Sequence, residues 1–216
     1  IDAYRENGFH SIFIRALNPY GLAKDNADWT AYYDRFVEFY KQALEYIIEL
    51  NKSGEVFVEE FATLILRKIL TPFPIGFVDL QSPAGIINGV IVYNYDGYVY
   101  ASDESRMLAE FRDYTFRVGS VTDRYEDLFY GRKAQEISRL WATEYIAGCA
   151  DCAFQSICGA DPVRNYSTQG DMYGFRPTST FCRKHKAIIE HIFGLLADRR
   201  EEVLPIFKSW ITGTGG

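Results

Sequence analysis

No run of apolar residues in this 216-residue chain approaches the ~20 needed to span a bilayer. The opening residues, Ile1-Asp2-Ala3-Tyr4-Arg5-Glu6, also lack the basic-then-apolar layout of a secretory leader. A cytoplasmic protein with no membrane partner is expected. Basic side chains are few: 23 Lys and Arg against 29 Asp and Glu give a net charge of −6, with no basic stripe along the chain. Phosphate backbones are bound by clustered positive charge, so nucleic acid is not an expected partner. Cysteine is scarcer still, with four in the whole chain, all within positions 149 to 182. A reducing cytoplasm does not sustain a disulfide framework, so thiols gathered there read as a metal or redox site. An initiating methionine is missing too, and the chain opens inside a helix-to-strand transition, so a piece of a longer protein is expected.

What is present is a globular composition, 48% hydrophobic with 16 Tyr and 16 Phe. That apolar surface can offset the chain entropy of one large domain or two small ones. Phe9 to Leu17 reads as a strand ended by Asn18-Pro19-Tyr20-Gly21. Asp28 can then cap a helix in which Trp29, Tyr33, Phe36, Val37, Tyr40, Leu44, Ile47 and Ile48 recur at helical spacing until Asn51 and Gly54. A second helix is predicted from about Val56 to Leu70, stopped by Pro72 and Pro74. This strand and helix pattern is the repeating unit of an α/β fold.

After Pro74 the pattern changes. Gly89 to Asn94 and Tyr98 to Ala101 flank Asp96-Gly97, the strongest short hairpin signal, and Thr115 to Gly119 adds a possible third strand. From about Asp123 to Ala147 one helix is predicted, with Leu128, Phe129, Ile137, Leu140, Trp141 and Tyr145 inward. Cys149 to Cys182 is polar and Gly-rich with little period. A closing helix from about Arg183 to Arg200 turns Ile188, Ile189, Ile192, Phe193 and Leu196 inward, and the tail after Trp210 reads as frayed.

The cysteines form the pattern Cys149-x2-Cys152-x5-Cys158, with Cys182 after a gap of 23 residues. A C-x2-C turn sets two thiolates on one side of a tight loop, as both tetrahedral zinc and iron–sulfur clusters require, and two more complete a four-ligand set. Three readings stand: an iron–sulfur cluster, structural zinc, or disulfides and free thiols. Zinc sites usually come as two short pairs, whereas here three cysteines sit close and the fourth is alone, a layout that favours a cubic cluster. His185 can replace Cys182 as a zinc ligand or be a surface residue at the start of the closing helix.

These residues resemble the C-terminal SPASM or twitch region of radical S-adenosylmethionine enzymes that modify peptides and proteins. In that family the last units of a partial (β/α)6 barrel lead into a hairpin with a G-x4-C motif, then C-x2-C-x5-C with another cysteine soon after, and a final cysteine before a helix. Gly97 matches the start of the hairpin motif, and Cys149, Cys152, Cys158 and Cys182 match the later part in order and spacing. The stretch from Cys158 through Gly170 to Cys182 looks most like the maturase of His-Xaa-Ser peptide systems. The departures carry information as well. Ser102 stands where G-x4-C expects cysteine, and Pro162, preceded by Asp161, stands where another is expected after Cys158. The resemblance therefore implies that the first auxiliary cluster of full SPASM enzymes is absent and that the second, one [4Fe–4S] centre with four cysteine ligands, is retained. The family's C-x3-C-x2-C loop does not occur in these residues, so the resemblance assigns S-adenosylmethionine and its own cluster to the full-length enzyme.

The implied fold is α+β, with residues 1–75 the end of the partial barrel and 76–216 the auxiliary-cluster domain; the implied partner is a peptide or protein substrate. Asp103 follows the vacant position at Ser102, where relatives carry a proposed proton acceptor; it is a candidate catalytic base or, alternatively, a helix cap. Arg15, at the end of a barrel-type strand, is a candidate for binding a carboxylate of S-adenosylmethionine or substrate, or a structural ion pair. Tyr93, Tyr95, Tyr98 and Tyr100 are expected to pair across the hairpin, where a peptide can also dock. The rival reading of the whole is a zinc-stapled peptide-binding module without catalysis.

Overall fold

The structure, a computed structural model, describes residues 1–23, 28–82, 84–139 and 142–213, without the side chains of Leu22 and Arg139. Its internal contacts divide the chain into two compact units, one of Ile1–Leu17, Trp29–Ile75 and Arg183–Gly216, the other of Asn18–Asp28 and Gly76–Cys182.

In the first unit α1 (Asp2–Glu6) leads to β1 (Ser11–Ile12), α2 (Trp29–Lys52), β2 (Val58–Glu59) and α3 (Glu60–Leu70). The two strands are parallel, Ser11 beside Val58 and Ile12 beside Glu59, so a helix joins parallel strands as α/β folds require. α2 buries the stripe its period predicts: Tyr33, Phe36, Val37, Tyr40, Leu44, Ile47 and Ile48, together with Ala43. Trp29 remains partly exposed. α3 buries Phe61, Ala62, Thr63, Ile65 and Leu66, and the Phe61 ring meets Tyr40 edge-on at 6.2 Å.

Glu59 fixes the joint between β2 and α3. Its carboxylate accepts from Ile14 N at 3.1 Å, from Ala62 N at 2.6 Å and from the Tyr40 hydroxyl, and all of this is buried. Burial pushes the carboxyl above its ordinary range, while those donors pull it back. The predicted strand Phe9 to Leu17 is thus only two residues long, and the helix predicted from Val56 starts at Glu60. Val58 and Glu59 belong to the sheet because β1 offers a parallel partner, a contact that local periodicity cannot register.

Across the boundary between the units, the chain continues as α8 (Thr180–Asp198), then forms α9 (Arg200–Thr212) in the first unit. Ile188, Ile189, Ile192 and Leu195 are buried on α8, and Val203, Phe207 and Trp210 on α9. Leu195 takes the inward place expected of Leu196. Trp210 Nε1 donates to Asn51 Oδ1 at 3.3 Å, and Arg199 pairs with Glu45 at 2.7 Å. These contacts hold 183–216 with the N-terminal residues, and one boundary between the contact units falls between Ile75 and Gly76. The predicted fray is helical to Thr212, and the last three residues lie outside the described set.

The second unit holds an antiparallel sheet of β3 (Val92–Tyr93), β4 (Tyr98–Tyr100) and β5 (Arg117–Ser120), in that order. Gly97 takes φ +82° at the tight turn, the left-handed conformation the hairpin demands. α4 (Asp103–Glu110), α5 (Tyr125–Tyr130), α6 (Arg132–Arg139) and α7 (Pro162–Gln169) complete it. Its core gathers Tyr20, Ile86, Ile87, Ala101, Leu108, Phe116, Ile137 and Val163.

The hairpin tyrosines do not face one another. Val92 stands opposite Tyr100, and Tyr93 opposite Val99. Tyr100 is buried and donates to Asp96 at 2.6 Å, while Tyr98 stacks under the Arg117 guanidinium at 4.4 Å. The single helix expected from Asp123 to Ala147 is broken at Gly131, where a Cβ would lie 2.1 Å from the Asp127 carbonyl. Leu128 and Ile137 point inward as expected; Tyr145 is 86% exposed, and Leu140 and Trp141 lie outside the described residues. Among the described residues no helix is long and apolar enough to cross a membrane.

Candidate metal centre

The cysteine segment is built from consecutive tight turns. Gly148, at φ +77°, starts it; Cys149 N then bonds to Ile146 O at 2.9 Å, Cys152 N to Cys149 O at 3.0 Å and Cys158 N to Phe154 O at 2.8 Å. Side chains tie these turns to the body of the unit. Gln155 Nε2 donates to Thr143 Oγ1 at 2.9 Å, and Thr143 N to Ser82 Oγ at 2.9 Å. Cys182 lies in the first turn of α8, its N–H donating to the buried Ser179 Oγ at 3.2 Å.

All four thiols are half-buried, and none is in a disulfide. They influence one another electrostatically. Burial raises the Cys149 thiol, with Cys182 and Cys152 adding to the rise and Arg176 opposing it. Burial pushes Cys158 up to about 11, and the other three cysteines push the same way. In the metal-free chain such thiols resist ionising, whereas bound cationic iron supplies the charge that thiolates need. Among the described residues, no three or more His, Cys, Asp and Glu side chains stand as the ligands of a single metal ion. The donor set itself, four soft sulfurs within reach of each other's charge, suits a four-thiolate iron–sulfur cluster.

The segment is more ordered than its composition predicts. Asp161 caps α7, accepting from Arg164 N at 2.9 Å; Pro162 takes the first helical position, and Gly170 ends the helix at φ +73°. This start and stop chemistry is visible in the sequence and was overlooked beside the cysteines. Gly159, next to Cys158, has no room for a side chain: a Cβ would sit 2.3 Å from Asp79 O and 2.8 Å from Gln81 N. Both obstacles are backbone, so Gly159→Ala should cost about 1–3 kcal/mol in urea unfolding of the metal-free chain. A cost near zero would mean that the turn relaxes freely.

The two positions where the family resemblance expects further cysteines have become helix starts. Ser102 is buried and caps α4 reciprocally with Ser105, and Pro162 opens α7. The capping role considered for Asp103 belongs to Ser102. Asp103 is the first residue of α4, exposed and paired with Arg106 at 3.1 Å. Arg15 is exposed beyond the end of β1, its guanidinium 5.5 Å from the Phe13 ring centre. His185 is not a surface residue: it is fully buried, edge-on to Phe61 at 5.8 Å, because its face of α8 turns into the first unit.

Beside these helix starts lies a half-buried acidic group that sequence reasoning missed. Asp161, Asp79 and Glu104 influence one another, and the buried Tyr20 hydroxyl donates to Asp161 at 3.3 Å. Removal from water, then the Asp79 carboxylate, pushes the Asp161 carboxyl from 3.8 up to about 7. Between those two values the folded chain holds a proton that the unfolded chain has lost, so stability falls as pH rises through that window. Asp161→Asn keeps an oxygen for the Arg164 N–H and cannot ionise. Urea unfolding at about pH 5 and about pH 7.5 should show a flatter pH slope for this variant than for wild type; equal slopes would remove Asp161 as the source.

No protein-family model matches the sequence, nor does any curated protein. The architecture does match solved structures of anSMEcpe, an anaerobic sulfatase-maturating enzyme of the radical S-adenosylmethionine SPASM type. Its AdoMet-bound form aligns over 98% of this chain and 52% of its own, with TM-score 0.64 and 18% identity. The form with AdoMet and the Cp18Cys peptide aligns over 94% of this chain and 53% of its own, with TM-score 0.63 and 18% identity. The chain shares its fold with about half of this solved enzyme. Identity at this level carries the fold alone, and the chain spans about half the length of the solved maturating enzyme.

Proposed function

We propose that this chain is the C-terminal region of a radical S-adenosylmethionine enzyme that modifies a peptide or protein, and that Cys149, Cys152, Cys158 and Cys182 hold one auxiliary [4Fe–4S] cluster within it. Four cysteines drawn into one electrostatic neighbourhood, in a fold shared with a maturating enzyme solved with AdoMet and peptide, carry the reading. When bound, the cluster supplies a one-electron redox centre and a cross-link between the 149–158 turns and the start of α8. The four thiolates would hold it, and the Gln155–Thr143–Ser82 chain orients their loop.

Asp103 is proposed as a proton acceptor facing substrate, its exposed carboxylate being reachable beside the hairpin, and Arg15 as a carboxylate-binding cation. The His-Xaa-Ser maturase subfamily remains a proposal resting on the stretch from Cys158 to Cys182. The radical chemistry is assigned to parts of the enzyme outside these residues, since C-x3-C-x2-C does not occur among them.

Iron and acid-labile sulfide should be measured on anaerobically purified protein, with thiolate-to-iron absorption expected near ~400 nm. Stoichiometric zinc without sulfide in that preparation would overturn the cluster reading.

A further inference from the structure

Arg117 stands opposite Tyr100 in the hairpin sheet, although the preceding pairs, Tyr98 with Ser120 and Val99 with Gly119, would bring Val118 to that place. The irregularity between Val99 and Tyr100 is a bulge that skips Val118. Side chains alternate across a strand, so a residue opposite Tyr100 shares the face of Tyr98, two positions away. In an unbroken ladder Arg117 would turn to the other face. The bulge thus delivers Arg117 to Tyr98, and its guanidinium stands over that ring at 4.4 Å and over the Tyr114 ring at 5.5 Å. Both rings and the arginine are exposed.

Among the described residues the Arg117 side chain enters no ion pair and donates no hydrogen bond. The carboxylates nearby in the chain are each turned to another donor. Asp96 accepts from Tyr98 N at 2.9 Å and from the Tyr100 hydroxyl at 2.6 Å, and Glu110 accepts from the Tyr95 hydroxyl at 2.9 Å. Asp113 accepts from Thr115 N at 3.1 Å and Asp123 from Ser120 N at 2.7 Å. A guanidinium ordinarily loses side-chain freedom when it takes up a carboxylate; here two rings hold it before any partner arrives. What they leave open is a planar fork of N–H donors, matched in shape to a carboxylate. The complement of this flat, uncompensated cation beside aromatic faces is a carboxylate with an apolar neighbour.

We propose that Tyr98, Tyr114 and Arg117 form a docking site for an acidic segment of the peptide substrate, Arg117 taking an Asp or Glu side-chain carboxylate and the two rings packing on the residue beside it. This rests on the reading of the chain as part of a peptide-modifying enzyme. The site adjoins the start of α4: Ala101 N donates to the carbonyl of Phe116, next to Arg117, at 3.2 Å, and Asp103 follows two residues after Ala101. A peptide held there has its next residues beside the candidate proton acceptor.

The test is calorimetric titration of the full chain, purified anaerobically, with two peptides acetylated and amidated at their ends, one of alternating Glu and Tyr and one of alternating Gln and Tyr. The Glu peptide should bind about tenfold or more tighter than the Gln peptide. Arg117→Gln should remove that difference, and Arg117→Lys, which keeps the charge but loses the planar fork, should retain part of it. Equal affinities for wild type, no binding of the Glu peptide, or an undiminished preference in Arg117→Gln overturns the site. Should the Gln variant fail to fold by circular dichroism, the Lys variant decides: a preference below wild type supports the site, and one equal to wild type overturns it. Self-association of wild type that Arg117→Gln abolishes would put a second copy of the chain on this face and overturn the peptide reading. Iron and sulfide counted on the same preparation test the cluster reading separately.

Discussion

Cys158→Ser should leave the chain unable to retain the proposed iron–sulfur cluster. Burial pushes the Cys158 thiol up to about 11, and it lies between the turns from Cys149 and the tightly packed Gly159. A hydroxyl oxygen is a hard, poorly ionised donor for iron that thiolate suits. Wild type should carry ~4 iron and ~4 sulfide per chain, and Cys158→Ser should lose most of both, with the absorption near ~400 nm. The metal-free forms should differ by less than about 1 kcal/mol in urea unfolding, because serine is close to cysteine in shape and the site is half-buried. Retention of wild-type iron by Cys158→Ser would show that a different residue completes the ligand set.

Glu59→Ala should be strongly destabilising. Three donors converge on that carboxylate: Ile14 N, Ala62 N and the Tyr40 hydroxyl. Tyr40 and Ala62 are fully buried, so water cannot replace the lost acceptor. At about 1–3 kcal/mol for each orphaned donor, the loss exceeds about 3 kcal/mol, a large part of the ~5–15 kcal/mol that holds a domain together. The melting temperature should fall by about 6–12 °C. Glu59→Gln retains one acceptor oxygen but turns an NH2 toward the remaining donor, so it should fall between alanine and wild type. An alanine variant melting within about 2 °C of wild type would mean that the donors find other partners.

Elements whose signals are local were legible before the fold was seen. The inward stripe of α2, the Asp96-Gly97 turn and the third strand after Thr115 each depend on residues within a few positions of one another. The misreadings share a cause. Val58 and Glu59 read as helix because their strand partner, β1, is far along the chain. The helix after Asp123 read as continuous because the crowding at Gly131 comes from a carbonyl four residues back, which composition does not reveal. His185 read as surface because the face that α8 presents to Phe61 is a matter of packing.

The feature most evident in the sequence was the cysteine set, since four thiols in one short stretch and none elsewhere need no structure to be noticed. By itself the sequence determined the four thiols, their order and spacing, and that Ser102 and Pro162 are not thiols. Only the tertiary structure decided what surrounds them. It turned those two positions into helix starts, gathered Tyr20, Asp79, Glu104 and Asp161 beside them, and packed Arg176 against Gly148 and Gly174. The reason is physical: ligand identity is a property of single side chains, whereas burial and countercharge arise only when distant segments exclude water from one place.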